Sequence, residues 1–228
     1  MKIETLTDAA AVAERAAEFI AAAARAAVAA RGRFTFAISG GRTPWQMLRL
    51  LAREDVPWQQ VHLFQVDERV APAGDTDRNL THISEALLAA APLATQCVRA
   101  MPVESADLEA GARTYARVLR DCAGTSPVLD LVHLGLGADG HTASLVPGDA
   151  VLDLTDADVG ITAPYQGRQR MTLTIPLINR SRGILWLVTG EEKRAMLARL
   201  LAADLSIPAG RVSQRQALVL ADRAAAGS

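Results

Sequence analysis

The chain has 228 residues, half of them hydrophobic, with 24 basic and 25 acidic side chains and a formal net charge of −1. That length and apolar content suit one α/β domain spanning 1–228 with a substantial core. The near-neutral balance excludes an electrostatically driven nucleic-acid binder, and two cysteines, Cys97 and Cys122, are too few for a disulfide framework.

Along the chain, apolar periodicity predicts a helix over 9–31, capped by Asp8 or Thr7 and ended by Gly32. Its alanine-rich part is broken by Arg25 and flanked by Glu18 and Arg31, so it is too polar and too short to span a membrane. The N-terminal residues lack the basic and apolar regions of a signal peptide, so a cytoplasmic location with reduced thiols is expected. A strand over 34–38 leads into Ser39-Gly40-Gly41-Arg42-Thr43-Pro44 and a helix to about Arg53, with Pro44 suited to its first turn. A second strand over 61–66 ends in Asp67-Glu68-Arg69, followed by a polar loop and a helix over 80–89. A short strand over 97–101 and a helix over 105–122 come next.

The apolar run 129–134 reads as a central strand and opens into Gly135-Leu136-Gly137-Ala138-Asp139-Gly140-His141. Candidate strands follow over 159–162 and 170–175, then an apolar strand over 184–188, a helix over 191–202 and a last strand over 216–220. This alternation predicts a doubly wound, Rossmann-like, mostly parallel sheet with helices on both faces.

Four strand-to-helix junctions carry chemistry, and in such a fold all four lie at one sheet edge, where ligands bind. Gly40 and Gly41 before a helix start offer backbone N–H groups to a phosphate or other anion. The three charges Asp67, Glu68 and Arg69 after an apolar strand are costly unless paired or used. The glycines around Asp139 and His141 let the backbone turn sharply and place an acid beside an imidazole, which titrates near neutral pH. Lys193, with Lys2 one of only two lysines, lies in the first turn of a helix, where a bound anion would offset its opposition to the helix dipole. Two anion sites, carboxylates and an imidazole suit a small phosphorylated substrate and proton transfer. His62, His82, His133 and His141 show no metal-ligand spacing, and Ser144 stands in no nucleophile elbow.

Taken together, these segments resemble the 6-phosphogluconolactonase family, of the glucosamine/galactosamine-6-phosphate isomerase superfamily, over nearly the whole chain. The match runs through Ser39–Pro44, Gln65–Val70 with Asn79 downstream, Gly135–Leu145, Arg170–Thr174, Val188–Lys193 and Asp222–Ala225. The resemblance implies hydrolysis of 6-phospho-D-glucono-1,5-lactone to 6-phospho-D-gluconate, the second step of the oxidative pentose phosphate pathway. It implies no metal, no cofactor, a small-molecule substrate, and a chain that is a monomer or a weak dimer. His141 would be the general base on water. Asp139 or Asp67 would orient the imidazole or polarise the water, and Arg69 would meet the oxyanion or ring hydroxyls. Gly40, Gly41 and Thr43, with Asn79, would bind substrate, and Arg42, Arg170 (or Arg168) and Lys193 would supply charge.

Two neighbouring activities share this architecture. Glucosamine-6-phosphate deaminases continue after the histidine toward Asn-Glu-Pro, where this chain has Val146, and tend to carry Asp-Glu-Tyr in place of Asp67-Glu68-Arg69. Non-catalytic sugar-phosphate sensors carry a helix-turn-helix before the sensor, whereas 9–31 reads as one helix leading straight into a strand. Both comparisons favour the lactonase. Arg42, where serine is common in that family, and Leu80, where an aromatic is common, are its departures.

Overall fold

Alternating side chains sort the strands onto two cores. The computed structural model describes residues 1–227, apart from the side chain of Arg42. In chain order the first elements are β1 (Lys2–Leu6), α1 (Ala9–Arg31), β2 (Phe34–Ile38), α2 (Arg42–Leu51), β3 (Val61–Gln65) and β4 (Asp67–Arg69). Then come α3 (Asn79–Ile83, continued as a π turn Ser84–Leu88), β5 (Val98–Arg99), α4 (Leu108–Ala123) and β6 (Leu131–Gly135). The last are β7 (Val159–Ile161), β8 (Arg170–Leu173), α5 (Ile175–Arg180), β9 (Ile184–Val188), α6 (Arg194–Leu201), β10 (Ala217–Asp222) and α7 (Arg223–Ala226).

Seven strands form one sheet in the order β1-β10-β9-β6-β2-β3-β5, every pair parallel. Phe34, Phe36 and Ile38 of β2, Leu185 and Leu187 of β9, and Leu218 and Leu220 of β10 face one core, shared with α1 and α2. Ala37, Trp186, Val188 and Val219 face the other, which holds Tyr115 and Leu119 of α4 and Leu197 of α6. A period of two on a sheet buried on both sides is what a doubly wound fold requires. The alanine stripe Ala13, Ala17, Ala21 and Ala24 is buried along α1, so small side chains let that long helix lie close to the sheet. Asp8 caps α1 by accepting from the Ala11 N–H, and Gly32 ends it at φ 72. Among the described residues, no helix is long and apolar enough to cross a membrane.

The sheet departs from the sequence reading at its margins. β1 is unforeseen: its residues are largely exposed, and it takes its place as an edge strand beside β10. It has no apolar run to announce it, and charged Lys2 and Glu4 guard the open edge. The strand expected over 170–175 ends at Leu173, because Thr174 and Pro176 start α5. The helix expected from 191 begins as a 3-10 turn over Glu191–Lys193 before α6.

A second, three-stranded antiparallel sheet, β4-β8-β7, stands beyond the C-terminal end of β3. Its β4 is the charged segment itself. Glu68 is wholly buried there and accepts hydrogen bonds from Gln65 Nε2 and from the N–H groups of Arg69, Asn79 and Leu80, each at 2.8 Å. Arg78 Nε sits 3.1 Å away in an ion pair, and Arg78 Nη1 donates to Ala71 O. One carboxylate therefore joins β4 to the start of α3.

Removing one partner of a buried, hydrogen-bonded ion pair leaves the other charge unsatisfied, which costs about 3–5 kcal/mol. Glu68→Ala should lower the unfolding free energy by roughly that amount in urea titrations. An unchanged midpoint would contradict this account of the segment.

Candidate active site

In this sheet the chain winds one way from β2 through β3 to β5 and the other way from β6 through β9 to β10, so the direction reverses between β2 and β6. Such a switch point opens a crevice at the C-terminal ends of the strands. A cleft of about 830 Å³ lies there, lined by Gly40, Gly41, Thr43, Asp67, Arg69, Asn79, Asp139, His141, Arg170 and Lys193. The residues singled out in the sequence thus converge, from the ends of β2, β3, β6 and β9 and from the starts of α3 and β8. The side chain of Arg42 lies outside the described part. Arg168 lines an adjoining cavity of about 300 Å³, where it pairs with Asp77 at 2.8 Å and Asp75 at 3.3 Å.

His141 follows the glycine loop after β6. Its Nδ1 lies 2.5 Å from Asp139 Oδ1, and its backbone N–H donates to the same oxygen at 3.1 Å. Of the two carboxylates weighed for orienting the imidazole, Asp139 is the one in contact with it. A Cβ on Gly137 would collide with the His141 ring, and Gly140 takes φ 84 against Ile207, so both glycines are required by the seat of the imidazole. Partial burial alone would raise the Asp139 carboxyl. The His141 N–H and charge, and the Tyr165 hydroxyl, outweigh burial and hold it below its ordinary value.

Asp67 is buried and accepts from Ser144 Oγ at 2.6 Å. Burial pushes its carboxyl above the ordinary aspartate range. The Ser144 hydrogen bond and the charge of Arg170 oppose that rise, and Glu68 adds to it. Ser144 is itself wholly buried and spent on this contact. Arg69 Nη1 donates to Asp77 O and to Asn79 Oδ1, while Asn79 Nδ2 donates to Asp67 O. A Cβ on Gly40 would clash with the Asn79 amide, so the first glycine loop and the charged segment interlock.

Arg170 is 4% exposed, and its guanidinium stacks 4.9 Å over the Tyr165 ring while Nη2 donates to Gln166 Oε1. Burial first, then the charge of Arg69, disfavour this cation, and Asp67 offsets only part of the cost. Lys193 makes no ion pair among the described residues. Opposite it, Gly41 caps α2 with no side-chain hydrogen bond, which leaves the first N–H groups of that helix without a side-chain acceptor. Thr43 Oγ1 and Thr189 Oγ1, 2.8 Å apart, bridge the start of α2 and the loop after β9, and Asp222 holds the Gly190 N–H. The cleft therefore pairs a cationic end with an acid–imidazole end.

Sequence reasoning missed Tyr165, Gln166 and Asp222 as parts of this wall. Tyr165 and Gln166 lie in a loop with no apolar period, and nothing local shows that the β7–β8 connection folds back over the cleft. Asp222 gave a clue, as a helix cap directly after a strand that ends at the same sheet edge.

A family model for glucosamine-6-phosphate isomerases/6-phosphogluconolactonase matches residues 7–220. A 6-phosphogluconolactonase from Nostoc is 31% identical over 99% of this chain and 97% of its own. The crystal structure of a 6-phosphogluconolactonase from Thermotoga maritima superposes with a TM-score of 0.87 at 28% identity, covering 97% of this chain and 98% of that one. A monomeric glucosamine-6-phosphate deaminase shares the fold at a TM-score of 0.86 and 20% identity, covering 100% of this chain and 99% of that one. With the sheet, the cleft and these matches in agreement, the chain belongs to the glucosamine-6-phosphate isomerase/6-phosphogluconolactonase family.

Proposed function

We propose that this chain is a 6-phosphogluconolactonase: it hydrolyses 6-phospho-D-glucono-1,5-lactone to 6-phospho-D-gluconate, the second step of the oxidative pentose phosphate pathway. The observation that carries the choice between the family's two activities is Val146. It stands where the deaminases place the glutamate that assists the histidine, and its buried side chain has no group that can pass a proton. The deaminase reading therefore loses a working part, while lactone hydrolysis needs nothing there.

A δ-lactone opens readily, so a base, orientation and charge stabilisation suffice. With Nδ1 engaged by Asp139, Nε2 of His141 is the nitrogen left to take a proton from water. The water oxygen bonds to the lactone carbonyl carbon, and the carbonyl oxygen gains the negative charge. Arg69, fixed by Asp77 and Asn79, is the cation we assign to that oxyanion or to the ring hydroxyls. As the intermediate collapses, the bond to the ring oxygen breaks and His141 returns its proton there. Asp67, held by Ser144, faces the same space and serves to orient water. The phosphate rests at the other end, on the backbone of Gly40, Gly41 and Thr43, with Arg170, Lys193 and Arg42 supplying charge and Asn79 bracing the loop. We take the chain as one domain acting as a monomer or a weak dimer. We assign it to the cytoplasm, which its free, half-buried Cys97 and Cys122 fit.

His141→Ala should lower kcat by about 10²- to 10⁴-fold in a lactone-hydrolysis assay with the fold intact by circular dichroism. Turnover close to wild type would remove His141 from the mechanism. Lys193→Ala should raise KM for the phosphorylated lactone more than it lowers kcat, as loss of a binding contact does. An unchanged KM would place the phosphate elsewhere.

Asp67 gives a prediction of opposite sign for stability. Its folded pKa is raised, so its contribution to stability is fully present below the ordinary aspartate pKa of about 3.9 and is lost as pH rises through the folded value. Asp67→Asn should therefore unfold at a higher temperature than wild type at pH 7, with the gap closing as pH falls below that range, while kcat drops. An equal or lower Tm at pH 7 would contradict it.

A further inference from the structure

The contacts of Tyr165 join two parts of the cleft that are otherwise separate. Its hydroxyl donates to Asp139 Oδ2 at 3.1 Å, the oxygen not used by His141. Its ring meets the His141 ring edge-on, with centroids 5.8 Å apart. The Arg170 guanidinium lies 4.9 Å from the centroid of that same ring. One side chain thus touches the acid, the base and the buried cation.

Its placement is firm. Tyr165 and Arg168 pair across a two-residue turn, the Tyr165 N–H donating to Arg168 O at 2.9 Å. Gln166 and Gly167 at its tip both take positive φ, 52 and 80, as the tight turns of twisted hairpins require. Gln166 then accepts from Arg170, so the turn holds the arginine from two sides. The charged groups that face this cluster across the cleft are Asp67, Arg69, Glu192, Lys193 and Asp222. None of them touches both Asp139 and Arg170 in the way Tyr165 does.

We propose that Tyr165 is a positioning residue that ties the Arg170 guanidinium to the Asp139–His141 pair. The tie is a feature of the resting protein. Its consequence rests on the lactonase reading: phosphate drawn to Arg170 fixes the ring of Tyr165, and the hydroxyl of Tyr165 fixes the carboxylate that orients the base. Binding energy at the remote phosphate is thereby spent on alignment at the reacting carbon. The hydroxyl and the ring carry separable parts of the role, one toward the base and one toward the cation.

Two variants separate them. Tyr165→Phe keeps the ring and removes the hydrogen bond. It should lower kcat about 3- to 10-fold, with KM within about 2-fold of wild type. Tyr165→Leu removes both and should add a rise in KM of about 3- to 10-fold. A direct readout without substrate is the proton signal of the His141 Nδ1–Asp139 hydrogen bond followed by NMR. Without the Tyr165 hydroxyl, the Asp139 carboxylate accepts from the imidazole undivided, so that signal should move downfield in Tyr165→Phe. Wild-type kcat and an unmoved signal in Tyr165→Phe would overturn the proposal. So would a KM change as large in Tyr165→Phe as in Tyr165→Leu. If wild type fails to hydrolyse the lactone, the functional reading falls, and a moved His141 signal still upholds the tie.

Discussion

The buried carboxylate of Glu68 is the constraint on which the site depends. A charge with no access to water must be met on every lone pair, and four donors and Arg78 meet it here. Those donors come from the end of β3, from β4 and from the start of α3, so satisfying one residue fixes three segments at once. Asp67 and Arg69 flank Glu68 in sequence and therefore turn toward the cleft, and Asn79, whose N–H is one of the donors, follows them. The small antiparallel sheet that results brings β8, and with it Arg170, to the same opening. The neighbours divide the work: the middle charge holds the structure, and the two beside it face the cleft.

Burial sorts the remaining charges in the same way. Burial raises the Asp67 carboxyl, burial beside Arg69 disfavours the Arg170 cation, and Asp139 is kept acidic by its donors. Groups shifted in opposite directions within one cleft mark a place organised for chemistry more than for folding. The polarity is also spatial. Cations and helix N–H groups gather near Gly41 and Lys193, and the acid–imidazole pair gathers near Gly137, whose missing side chain leaves room for the ring.

The parts of this arrangement legible in the sequence are those with a strong local cause. β9 is a continuous apolar run and β2 is apolar apart from Thr35, and each is buried along its whole length. The glycine loops announce themselves because only glycine tolerates the backbone at Gly140 and the close approach at Gly137. What stayed hidden depends on tertiary partners. β1 exists because β10 offers it an edge. β4 is a strand because β8 pairs with it, although its three residues are all charged. Which carboxylate meets His141 was open, since Asp139 and Asp67 are equally acidic on paper and differ only in where the loop after β6 lands. Tyr165 was invisible for the same reason: its partners lie 26 residues before it in Asp139 and across a turn in Arg170.

The reading as a whole turns on which bond this cleft breaks. The most direct measurement is acid release from freshly generated 6-phosphoglucono-δ-lactone, set against the spontaneous rate, with ammonia release from glucosamine 6-phosphate followed in parallel on the same protein. Acceleration of lactone opening well above the spontaneous rate, with no ammonia, is what the acid–imidazole pair and the apolar Val146 predict. Ammonia release without acceleration of lactone opening would contradict the account and move the chain to the family's other branch.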